Sequence, residues 1–138
     1  MEHFSEYGHA IVSLAVFAML GLILSPISAA RKADAGVAPG ALPAPDYNDP
    51  TYRLSRAYMN AMELCGFFTA VTVAAILAGA SPFWVNLLAS VFLLSRFVMA
   101  FVHIRGIGKA NLGPRSMIFG LGWVCCLALG VLAIVAAF

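Results

Sequence analysis

The sequence predicts an all-α integral membrane protein, a bundle of four transmembrane helices, on three observations. Of its 138 residues, 62% are hydrophobic and only 10% charged, where an ordinary soluble domain carries roughly a quarter charged residues. The apolar residues gather into four runs punctuated by Gly, Pro and clustered charge. A helix needs about 20 mostly apolar residues to cross the hydrocarbon core, so the length suits four crossings joined by short connections. Residues 1–138 therefore read as a single transmembrane domain, and a water-soluble monomer is disfavoured.

The first helix is expected over about 9–30, preceded by Glu2 and Glu6 and followed at once by Arg31 and Lys32. A secretory signal has the opposite polarity, so Ser28-Ala29-Ala30 is not read as a cleavage site and the helix is retained. Pro26 is expected to kink it, since proline removes a backbone hydrogen bond. Residues 33–50 hold Gly36, Pro39, Gly40, Pro43, Pro45 and Pro50, a composition of turns and extended chain. Asp46 and Asp49 of this main loop are expected at or near the membrane surface, and Thr51 is the expected cap of the next helix.

The second helix is expected over about 52–80, broken by Ser81-Pro82 because proline disfavours helix at the preceding residue. The third, about 83–104, follows with almost no connection, which makes a tight antiparallel hairpin. Gly106, Gly108, Gly113 and Pro114 mark the last loop. The fourth helix, about 115–138, carries Gly120 and Gly122, small residues suited to close helix contact.

Charge sets the expected orientation. Arg31, Lys32, Arg53, Arg56, Arg105, Lys109 and Arg115 lie on the side of the first and third loops, while both termini and the Ser81-Pro82 turn carry no Lys or Arg. By the positive-inside rule both termini face away from the cytoplasm. The net charge of +2 is small and its cations form no continuous run, which disfavours nucleic acid as a partner. Cys65, Cys125 and Cys126 all stand in apolar stretches and read as core residues, and no metal-ligand spacing appears.

The chemistry-bearing residues form a stripe. Arg53, Arg56, Asn60 and Glu63 recur at spacings of three, four and three, which puts them on one face of the second helix. An ionisable group facing lipid costs at least about 2.5–3.5 kcal/mol, so Glu63 is expected to face protein or a wet cavity beside an arginine. On the third helix Arg96 and His103 share a face, and Arg96 is the expected partner of Glu63. Such a pair can simply hold helices in register. The cations gathered at one end exceed that need and suit a ligand carrying carboxylates. His103, near a helix end, has interfacial placement as its plainer reading, and Trp84 and Trp123 read as packing or interface anchors.

The segment Arg56-Ala57-Tyr58-Met59-Asn60-Ala61-Met62-Glu63, followed by Phe67-Phe68, resembles the signature of the MAPEG family, the membrane-associated proteins of eicosanoid and glutathione metabolism. Arg53, Arg96 and Pro114-Arg115-Ser116, with Phe119, Gly122 and Trp123 behind them, are similar to further family landmarks, so the resemblance spans essentially the whole chain. It implies a four-helix bundle assembled as a homotrimer, with glutathione as co-substrate between neighbouring subunits at the cytoplasmic end. In that pattern Arg53, Arg56, Asn60 and Glu63 bind the tripeptide's carboxylates and amine, with His103 able to donate a hydrogen bond. Arg115 stands near the sulfur, where positive charge favours the thiolate, and Ser116 donates a hydrogen bond to it. Arg96 is then a structural intramembrane charge. The implied reaction is attack of the thiolate on a lipophilic electrophile or hydroperoxide from the bilayer. The compact loops resemble bacterial members, implying a cytoplasmic membrane.

Two features depart from the family's pattern. A proline is common shortly after the Glu, where Gly66 and Phe67 stand, and an aromatic or His and a Tyr are common where Met99 and His103 stand. They leave open a second function, a non-catalytic structural or accessory subunit of a larger membrane complex. A small multidrug antiporter, a third class, needs a carboxylate in its first helix, and that helix carries no charge before Arg31.

Overall fold

The computed structural model describes residues 2–108 and 113–138, with side chains from Phe4 onward. Lys109, counted above among the clustered cations, lies outside the described residues, as do the side chains of Glu2 and His3. After one helical turn at Glu2–Ser5 come four long helices: α1 Gly8–Asp34, α2 Pro50–Leu77, α3 Pro82–Arg105 and α4 Pro114–Ala137. Even 24 residues rise about 36 Å, enough to cross a hydrocarbon core of about 30 Å. All four are apolar enough to do so, and with their lipid-ready surfaces the chain is an integral membrane protein of four all-α spans.

Local chemistry explains where each helix starts and stops. α2, α3 and α4 each begin with a proline at the first helical position, Pro50, Pro82 and Pro114, where its missing N–H costs nothing. The cap of α2 is Asp49, not Thr51: Thr51 N–H donates to Asp49 Oδ1 at 2.8 Å. Asp49 precedes Pro50, so its carboxylate reaches back over the first turn, a position Thr51 has already passed. The hydrogen bond from the Thr51 N–H holds the Asp49 carboxyl below the usual carboxylate range.

α2 stops at Leu77, three residues before the expected end. Gly79, at φ 71°, closes it, with Gly79 N–H donating to Ile76 O and Ala80 N–H to Ala75 O, the paired bonds of a glycine-terminated helix. Ser81-Pro82 thus opens α3 and does not end α2. Gly106, at φ 69°, ends α3 the same way, through Ile107 N–H to Val102 O. α1 passes Pro26 as one continuous helix and extends to Asp34, taking Arg31 and Lys32 into its last turn, where cations complement the helix dipole.

α2 and α3 pack on each other and on both remaining long helices, so the α2–α3 pair forms the spine with α1 and α4 against it. The core of that spine is aromatic. Phe68 of α2 and Phe92 of α3 stack at 3.8 Å, and Phe17 of α1 meets both edge-on. Away from the loop-rich end, the start of α1 is tied down by polar bonds. Tyr7 Oη donates to Ala80 O at 2.5 Å, and Asn86 accepts from Ala10 N–H while donating to Glu6 O. Outward faces carry Leu22, Phe67, Leu77 and Val135, each more than half exposed, as a lipid or protein environment requires.

Candidate functional site

At the loop-rich end, α2, α3 and α4 converge beneath the loop of residues 35–49. The stripe on α2 holds as a row but its members have different partners. Arg56 and Glu63, two turns apart, make the one ion pair among the described residues, at 3.7 Å and with both side chains partly exposed. Between them Asn60 is buried.

Arg96, expected to pair with Glu63, instead turns inward, which corrects that expectation. It is 2% exposed and donates to Asn60 Oδ1 (3.3 Å), Ser95 Oγ (3.2 Å) and Ile118 O (2.9 Å). The rings of Phe92 and Phe119 cover its guanidinium. The reason is room: a Cβ at position 122 would stand 2.5 Å from Arg96 Nη2, so Gly122 leaves the space the guanidinium occupies. Glu63 lies outside that niche, within reach of Arg56 along the same helix. Gly120, by contrast, faces nothing within 4 Å.

Arg53 heads the stripe but does not line the pocket below it. Its Nη1 donates to Tyr47 O at 2.8 Å and Asn48 O at 3.1 Å, and its Nε to Ile104 O at 3.3 Å. It lies across Gly106, where a Cβ would come within 3.0 Å of its Cδ. Its guanidinium is therefore committed to backbone carbonyls of the loop and the end of α3. Arg105 is exposed and sits over Phe101, also away from the pocket.

Arg115 enters in the first turn of α4 and is 6% exposed. Its Nε donates to Ile107 O at 3.0 Å and its Nη2 to Gly108 O at 3.1 Å. Its Nη1 is buried with no hydrogen-bond partner among the described residues, and so is Nδ1 of His103. Buried polar groups are almost always paired, so two orphans in one place point to something that binds there.

These residues surround one open pocket of about 310 Å³, lined by Arg56, Asn60 and Glu63 of α2, Met99 and His103 of α3, and Arg115, Ser116 and Phe119 of α4. Tyr47 of the loop completes it. Sequence reasoning misses Tyr47, whose only signal there is an aromatic between Asp46 and Asn48 in a Pro-rich stretch. Glu63 and Phe119 also line an adjoining apolar groove of about 450 Å³ that runs between α2 and α4 past Phe67, Trp123 and Cys126. Among the described residues no three His, Cys, Asp or Glu side chains stand together as a metal site.

The arrangement is chemically asymmetric. Arginine only donates, so Asn60 Oδ1 faces Arg96 and its Nδ2 is left for the pocket. The pocket therefore presents cationic or neutral donors from Arg56, Asn60 and Arg115 and a single carboxylate, Glu63. Arg115 also lies at the positive end of the α4 dipole, where anions are stabilised.

No curated protein matches the chain. The family model described as the MAPEG family matches residues 9–135, from the first turn of α1 to the end of α4, and the chain belongs to that family.

Proposed function

We propose that the chain is a membrane-bound glutathione transferase or peroxidase-like enzyme that activates the thiolate of glutathione for attack on a lipophilic electrophile or hydroperoxide. The observation that carries this reading is Arg115: a buried cation at a helix N-terminus, with one nitrogen left unpaired, in a side chain that lines a pocket of further donors. The residues fit the ligand. Glutathione brings two carboxylates, an amine and a thiol, and the pocket offers Arg56 and the Asn60 amide to carboxylates and Glu63 to the amine. Arg53 contributes by holding the loop, not through a free guanidinium.

In this reading the thiol loses its proton to water and Arg115 stabilises the negative sulfur. Ser116, exposed at the pocket wall, donates a hydrogen bond to it, and His103 bonds the peptide. The sulfur pair then bonds to an electrophilic carbon while the leaving group departs with its own pair. With a hydroperoxide, sulfur bonds to the terminal oxygen, the O–O bond breaks, and an alcohol leaves. A second glutathione then converts the sulfenic acid to disulfide and water. The apolar groove beside Glu63 admits the lipophilic partner from the bilayer.

Assembly as a homotrimer belongs to the same proposal. Glu63 is about half exposed beside outward-facing Phe67, an expensive arrangement in lipid that a neighbouring copy relieves. The chain is one transmembrane domain in a bacterial cytoplasmic membrane, with the pocket at the cytoplasmic end and both termini on the other side, as the Lys and Arg distribution supports.

Calorimetric titration of glutathione into the detergent-purified protein, with Arg56→Ala as control, tests this. Saturable binding lost in the variant is the expected result. A folded protein that takes up none at millimolar glutathione overturns it in favour of a non-catalytic accessory subunit. One observation favours that second reading: Met99 lines the pocket and offers no hydrogen bond.

A further inference from the structure

The loop over the pocket is built around Tyr47. Asp46 Oδ1 accepts from Asn48 N–H at 2.9 Å, and Asp46 O accepts from Asp49 N–H at 3.1 Å, so the chain turns tightly about Tyr47. Arg53 fixes that turn from below through the carbonyls of Tyr47 and Asn48, and anchors it to α3 through Ile104 O. The ring so held lies 4.2 Å from Arg115 Cζ and is nearly parallel to the His103 ring, 6.3 Å away at 18°. The edge-on ring of Tyr52, 5.2 Å off, packs beside it.

Arg115 is thus restrained in two ways. Two carbonyls, of Ile107 and Gly108, take its Nε and Nη2 in the guanidinium plane. Gly106 and Gly108, both at positive φ, let the chain bend sharply through this stretch. The Tyr47 ring covers the guanidinium itself, a cation–π contact. What remains is Nη1, buried and unpaired. A donor already immobilised and shielded from water stabilises developing negative charge better than one that must reorganise.

We propose that Tyr47 is a positioning residue of this site: its ring clamps the Arg115 guanidinium so that the unpaired Nη1 edge is presented to the bound sulfur, and Arg53 holds Tyr47 in place. The proposal rests on the reading that Arg115 faces a thiol. It assigns the work to the aromatic face and none to the phenol hydroxyl. Besides the Tyr47 phenol, the charged and titratable groups around the same pocket are Arg56 and Glu63 of α2, His103 of α3 and Arg115 of α4; a substitution at Tyr47 leaves all four in the sequence and removes only the ring that covers Arg115 and stacks on His103.

Two measurements on the full chain in detergent test it. The first is the pH dependence of thiolate absorbance for bound glutathione in the wild type, Tyr47→Phe and Tyr47→Leu. Phe keeps the aromatic face and matches the wild type; Leu keeps bulk but loses the face, so at neutral pH the thiolate-to-thiol ratio falls roughly three- to tenfold. The second needs no ligand: hydrogen exchange of the Arg115 Nε–H by nitrogen-15 NMR, its signal assigned by loss in Arg115→Lys. Leu accelerates that exchange and Phe does not.

Leu behaving as wild type in both measurements overturns the proposal while leaving glutathione binding intact. Phe losing as much as Leu also overturns it, since the hydroxyl would then be the active group. Failure of the wild type to bind glutathione, with exchange still accelerated only in Tyr47→Leu, overturns the functional reading and leaves the Tyr47–Arg115 clamp standing.

Discussion

Arg96 donates to Asn60 Oδ1 across the α2–α3 interface at 3.3 Å, and that bond decides which end of the Asn60 amide meets the pocket. Because a guanidinium has no acceptor, the carbonyl oxygen is claimed and the NH2 group is left for a ligand. The buried cation and the pocket are therefore one construction, although Arg96 itself does not line the pocket.

Asn60→Asp separates the two roles. A carboxylate pairs with Arg96 at least as well as the amide does, so the melting temperature in detergent holds or rises. The pocket atom becomes an acceptor, so glutathione binding weakens about ten- to a hundredfold, the value of a hydrogen bond to a charged group at about 1.5–3 kcal/mol. Calorimetry beside thermal unfolding measures both, and equal losses in stability and binding would count against the division.

Gly122→Ala strikes Arg96 directly. The added Cβ would fall 2.5 Å from Nη2 and 2.9 Å from Cζ, and a guanidinium that is 2% exposed and triply bonded has little space to yield. Overpacking of this kind costs about 1–3 kcal/mol. Gly120→Ala, with nothing within 4 Å of the new methyl, is the control and gains about 0.5–1 kcal/mol from helix propensity. Unfolding midpoints moving the same way in both variants would contradict the packing argument.

Those two glycines show how far the sequence could be read. Both read as small residues for helix contact, and composition alone cannot tell which one faces a buried arginine. The four spans and the Arg56-Asn60-Glu63 face were legible because helical periodicity records direction around an axis. Periodicity does not record distance or depth, so it joins Arg96 to Glu63, whereas Arg96 turns into the core and Glu63 stands half exposed beside Arg56. Gly79 as the true end of α2 was hidden behind the stronger Ser81-Pro82 signal. Tyr47 was invisible for a different reason: loop residues have no period, and its place depends on Arg53 reaching back along the chain to two carbonyls.

Arg53→Ala tests that dependence. A direct glutathione ligand and a loop clamp both weaken binding when removed, but only the clamp also frees the loop. Limited proteolysis of the detergent-solubilised protein should cut within residues 41–48 faster in Arg53→Ala than in wild type, by about tenfold for a bonded network worth about 1.5 kcal/mol. Arg56→Ala should leave the cleavage rate unchanged while abolishing binding. Equal cleavage in Arg53→Ala and wild type would return Arg53 to a ligand role.

Asp49 makes the start of α2 sensitive to acid. Its carboxyl is held below its ordinary value by the Thr51 N–H, so the folded state favours the ionised form. The sign follows from linkage: a depressed carboxylate pKa contributes stability that is fully present above the unfolded value near 3.9 and is lost as pH falls through the lower folded value. Asp49→Asn keeps a capping oxygen and removes the charge, so its melting temperature should sit below wild type by a constant gap above about pH 5 and converge with it in stronger acid. A gap that persists unchanged down to pH 3 would show that the charge of Asp49 contributes nothing, leaving only the geometry of the cap to start α2 beneath the loop that carries Tyr47.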